Sequence, residues 1–98
     1  MGLSVSAAYQ FTQTDLLGRY FRSAILTVTG LTANANNSVR HGLTVPSGAG
    51  QVAATPIKVW LEPTSNNQFW EYQTADSTYI YVGVGNGAGT SLQIHVLY

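Results

Sequence analysis

The sequence contains no cysteine, so no disulfide frames the domain and no thiolate can hold a metal. Charge is almost as scarce. Four Lys or Arg and four Asp or Glu make up 8% of the 98 residues, where an ordinary soluble domain carries about 25%. The formal net charge is zero. A phosphate backbone or an anionic membrane finds no clustered cations here, which argues against both as partners. No apolar run approaches the ~20 residues of a spanning helix. The opening residues lack the basic and apolar blocks of a signal peptide, which points to folding in a cytoplasm.

Apolar and neutral polar residues fill the space that charge leaves. Hydrophobic residues reach 45% and eleven are aromatic, which excludes disorder. Ser, Thr, Asn and Gln supply 31 residues and with them the solubility. The length allows one domain, residues 1–98, burying roughly 60–70% of its unfolded surface.

Period-two alternation dominates. Leu3, Val5, Ala7, Tyr9 and Phe11 alternate with polar neighbours, as a half-buried strand does. Asp15-Leu16-Leu17-Gly18 interrupts the pattern, as a capped helical turn or a plain connection. Residues 20–29 are β-branched and strand-forming, and 30–38 read as a loop. Val39, His41, Leu43 and Val45 alternate until Pro46, which is expected to end that strand before a Ser47–Gly50 turn. Ile57, Val59 and Leu61 share one face, with Lys58, Trp60 and Glu62 opposite. The next strand is expected to return as a hairpin, with Trp70 and Tyr72 on the apolar face and Phe69 and Glu71 opposite. Residues 78–84 and 91–98 are expected to form a last hairpin that pairs Val82 with Leu92 and Ile80 with Ile94. No segment shows helical periodicity. About seven short strands with turn signals between them predict an all-β antiparallel sandwich, a jelly roll being one version.

The inventory for catalysis is thin. Glu62 and Glu71 would neighbour each other across a hairpin, as a glycosidase pair does, but both also read as solvent-facing strand residues with Lys58 a diagonal partner for Glu71. His41 lies on an apolar face, where a satisfied buried histidine is the default. His95 falls beside Tyr79 in the expected last hairpin, as a surface or interface hydrogen-bonder. Two distant histidines without a carboxylate cluster make no zinc signature. The glycines at 83, 85, 87 and 89 lack the spacing and following helix of a dinucleotide loop. No cofactor, metal or catalytic residue is expected.

The aromatics carry more. Trp60, Phe69, Tyr79 and Tyr81, with Leu97, are placed opposite the core. Such a row is covered by a partner subunit, stacks on a sugar, or is packed on by the second sheet. Trp60, Phe69, Tyr79, Tyr81 and His95 are therefore the candidate contact residues.

The plan is an opening β segment, then Asp15-Leu16-Leu17-Gly18 followed by Arg22 and a Thr-rich strand ending at Gly30. A glycine-rich turn and a final strand, Leu92-Gln93-Ile94-His95-Val96-Leu97-Tyr98, complete it. In this plan the chain resembles small virion proteins of tailed bacteriophages, the capsid decoration (cement) class and related head and tail accessory proteins. The resemblance implies a β-sandwich, a structural role in the virion and, often, a homotrimer. The resulting expectation is a self-associating, non-enzymatic protein that decorates or stabilises a phage capsid. A carbohydrate-binding or lectin-like host-recognition domain, with a glycan as partner, is the alternative.

Overall fold

The computed structural model describes residues 3–14 and 20–98, and side chains outside 8–21. The turn read at Asp15–Gly18 lies outside the described residues. Nine strands and no helix occur among them: β1 (Ser4–Thr14), β2 (Tyr20–Thr29), β3 (Ala35–Arg40), β4 (Thr44–Ser47), β5 (Gly50–Ala53), β6 (Lys58–Pro63), β7 (Phe69–Gln73), β8 (Tyr79–Val84) and β9 (Leu92–Leu97). Every pairing is antiparallel. One sheet runs β1-β2-β9-β6, a second β3-β8-β7, and β4-β5 stands apart as a hairpin. The fold is all-β, as the alternation predicts.

Alternation also decides what lies between the two larger sheets. Ala24, Leu26 and Val28 of β2 join Leu92, Ile94 and Val96 of β9, and across from them lie Val39 of β3 and Ile80, Val82 and Val84 of β8. These form one buried cluster, with Val59, Leu61 and Phe69 packed at its margin. Each fully buried aliphatic side chain contributes roughly 1.5–3 kcal/mol. The arrangement is sandwich-like, four strands against three.

Both expected hairpins are replaced by crossings between sheets. β8 pairs with β3 and β7, whereas β9 pairs with β2 and β6. Ile80 and Val82 therefore share a core with Leu92 and Ile94 without sharing a ladder. The same holds for β6 and β7, which belong to different sheets. Matched apolar rows can meet side by side or face to face, and here the second solution buries both.

The strand expected over 39–45 breaks at Gly42, whose φ of 65° suits a residue without a Cβ. His41 and Leu43 are both buried nonetheless, on the face that the alternation gives them. Pro46 does not end its strand: it sits inside β4 opposite Gln51, in a two-stranded hairpin where an N–H can be missed.

Three sheet-crossing segments meet at one end of the molecule, around Asn67. Its Nδ2 donates to the carbonyls of Gly85, Gly87 and Gly89 at 3.0, 3.1 and 2.8 Å. Its Oδ1 accepts from the N–H of Gln68 and of Gly87. Ser65 Oγ donates to the Ser91 carbonyl, and the Ser91 N–H donates back to Ser65 Oγ. The β2–β3 connection is tied to the same loop through Asn34 N–H to Gly85 O and Leu31 N–H to Thr90 O.

Candidate functional site

The outer face of the four-stranded sheet takes the residues that alternate with the core. Register aligns Trp60 of β6, His95 of β9 and Ile25 of β2 in one row, and Lys58, Leu97 and Ser23 in the next. Trp60 is 45% exposed, and Ile57, just before β6, is 62% exposed. His95 Nε2 lies 3.3 Å from Glu62 Oε1. The Lys58 ammonium stands 5.2 Å from the centre of the Trp60 ring, within cation–π reach.

The outer face of the three-stranded sheet is different. β8 contributes Tyr79, Tyr81 and Gly83, and β3 sets Arg40, Ser38 and Asn36 opposite them. Trp70 pairs with Gly83. A Cβ at residue 83 would fall on the Trp70 indole, so the glycine is what lets the ring lie over the strand. Tyr81 meets Tyr72 edge-on at 5.8 Å and Tyr79 at 6.0 Å. A recess of about 340 Å³ beside Trp70 is lined by Asn34, Ala35, Asn36 and Val84.

Asp76 anchors this face. Its Oδ1 accepts from the N–H groups of Thr78 and Tyr79 at 2.8 and 2.7 Å, and its Oδ2 accepts from the Tyr81 hydroxyl. The bond from Tyr81, with those two N–H groups, holds the Asp76 carboxyl below its ordinary range. The same bond pushes the Tyr81 phenol up to about 12. Both shifts act on stability, with opposite pH windows. The Tyr81 contribution is whole below the ordinary value of 10 and is lost as pH rises towards about 12. The Asp76 contribution is present above 3.8 and is lost as pH falls through the depressed value. An alkaline ultraviolet titration of the six tyrosines is expected to show a late-ionising component. Tyr81→Phe should remove that component and Asp76→Asn should bring it forward; no change in Asp76→Asn would refute the pairing.

His41 holds the same turn from beneath. It is 3% exposed, accepts the Leu43 N–H at Nδ1 (3.0 Å) and donates from Nε2 to the Asp76 carbonyl (2.9 Å). The Leu43 donor fixes that tautomer.

The five candidate contact residues do not form one row. Trp60 and His95 lie on one outer face, and Tyr79 and Tyr81 on the other, so His95 is beside Trp60 and not Tyr79. Phe69 is corrected outright: it pairs with Val84 and packs on the core, and its neighbour Trp70 is the exposed ring, at 45%. Two successive aromatics give alternation nothing to choose between. Trp70 and Tyr72 are thus the surface residues that alternation placed inside. The only cue was Gly83, which becomes legible as a seat for an indole once the β7–β8 register is known.

The carboxylates are also separated. Glu62 sits on β6 near His95, while Glu71 sits on β7 of the other sheet. Glu71 lines a recess of about 300 Å³ with Ile57, Lys58 and Val59, and burial there pushes its carboxyl up. Among the described residues no three His, Cys, Asp or Glu side chains gather as a metal site. No protein-family model, curated protein or solved structure matches the chain.

Proposed function

We propose that the chain is a non-enzymatic structural subunit that associates with copies of itself and attaches to a larger assembly, in the manner of the phage capsid-decorating proteins it resembles. The observation that carries this reading is the outer face of the four-stranded sheet. Trp60, Ile25 and Leu97 run across it, and Lys58 and Glu62 are its charges among the described side chains. Desolvating such a face costs little, because hydroxyl and amide groups find backbone partners more readily than full charges do. In a symmetric shell each modest contact is repeated, so weak patches give firm attachment.

Light scattering at micromolar concentration tests the self-association. A mass of at least twice 10.5 kDa is expected, and Trp60→Ala should shift it towards the monomer. A clean monomer removes the assembly reading.

A second reading has its own support on the opposite face. Trp70 laid over Gly83, the tyrosines beside it, and the amides of Asn34 and Asn36 at the neighbouring recess make a flat ring bordered by hydrogen-bonding groups. A pyranose presents an apolar C–H face and a rim of hydroxyls, which such a platform matches. A monomer whose Trp70 fluorescence responds to a glycan, with the response lost in Trp70→Ala, would select a carbohydrate-recognition module instead.

A further inference from the structure

We infer that the self-association runs through the free edge of β6, two copies joining antiparallel about a two-fold axis at Trp60. The inference rests on the assembly reading above and names its interface. β6 is the last strand of its sheet, and no described strand pairs with its outer edge. Which of its backbone groups face outwards follows from its neighbour. Arg22 and Tyr98 exchange both backbone bonds, so strand alternation turns the groups of Leu97, His95 and Gln93 towards β6. Their register partners Lys58, Trp60 and Glu62 answer them. The N–H and C=O groups of Val59 and Leu61 are left at the free edge. An edge of this kind is a template for another strand.

The side chains around that edge select a second copy as the occupant. The segment reads Lys58-Val59-Trp60-Leu61-Glu62, which is self-complementary when reversed on itself. Setting Trp60 opposite the second copy's Trp60 places Lys58 opposite Glu62 twice, once on each side of the axis. Val59 then faces Leu61 twice, and the four free backbone groups of each copy bond their counterparts. Opposite charges facing each other on a sheet stabilise the pairing, and like charges oppose it. A shift by two residues would set Lys58 or Glu62 against Trp60 and leave charges unmatched. Because the same patch serves both copies, the contact is isologous and closes as a dimer. The two four-stranded sheets become one sheet of eight strands.

Charge exchange at these two exposed positions tests the register without touching the core. Sedimentation of the full chain should give a dimer, with Lys58→Glu and Glu62→Lys each weakening its Kd by roughly tenfold or more, since each creates two like-charged pairs. The double variant Lys58→Glu/Glu62→Lys should recover the wild-type Kd to within about threefold, because the reversed pattern is again self-complementary. Single variants without effect on a persistent oligomer, a trimeric mass, or a double variant as weak as the singles would overturn the β6 pairing while the assembly reading stands. A monomeric wild-type chain would overturn both.

Discussion

Replacing Asn67 by Asp is expected to lower the melting temperature by roughly 12–24 °C, the equivalent of about 3 kcal/mol in a domain of this size. The substitution changes hardly any volume, so packing cannot account for the loss. It exchanges the amide that donates to Gly85, Gly87 and Gly89 for a carboxylate oxygen facing the same three carbonyls. Acceptors then confront acceptors, and the loop that carries the chain from β8 to β9 loses its centre. Asn67→Ala should cost less, because water can reach the vacated carbonyls in this half-exposed loop. Thermal melts followed by circular dichroism rank the two. A melting temperature for the aspartate variant within about 3 °C of wild type would show that the glycine loop holds its shape without the amide.

His41→Ala is expected to cost a similar amount, about 2–4 kcal/mol, by a different route. The substitution opens a cavity under the β3–β4 connection and leaves the Leu43 N–H and the Asp76 carbonyl without partners. His41→Phe separates the two causes, since it refills most of the volume but restores neither bond. It should remain destabilised by roughly 1–3 kcal/mol. The damage should also spread to the turn above, where Asp76 accepts from Thr78, Tyr79 and Tyr81. A late tyrosine ionisation that moves earlier in His41→Ala would report that spread. If stability in His41→Phe matched wild type, the histidine would be a filler and not a brace.

The alternation of the sequence reads the faces of most strands correctly and their neighbours poorly. Val59, Leu61, Ile80, Val82, Leu92 and Ile94 turn to the core as period two requires, and Trp60, Tyr79, Tyr81, His95 and Leu97 turn away from it. Pairing is another matter. Parity along the chain cannot distinguish two rows that share a ladder from two rows that face each other across a core, so β6–β7 and β8–β9 both read as hairpins. The β7 assignment fails for a local reason, the adjacent rings of Phe69 and Trp70. Asn67 reads as part of a polar turn, because the partners of its amide lie in a loop whose position depends on the whole topology. His41 was legible as a satisfied buried histidine, and what remained hidden was the turn it holds. The candidate surface was legible in residue type and was divided in space: one sheet carries the indole of Trp60, the other that of Trp70.

The place of β9 in its sheet bears on how the chain reaches this state. β2 and β6 have no bond to each other, and both pair with β9, the ninth strand in order. The contacts of Leu26 and Leu61 with Ile94 each close a long loop before any return is gained. β1–β2, β4–β5 and β7–β8 can form early as local hairpins, but the four-stranded sheet is complete only when β9 slots between two waiting edges. Folding of this topology belongs to the millisecond-to-second range of sheet proteins rich in non-local pairing. Until that slot is filled, the apolar rows of β2 and β6 stand open to other chains, which makes dilution during refolding a condition for recovering the native protein.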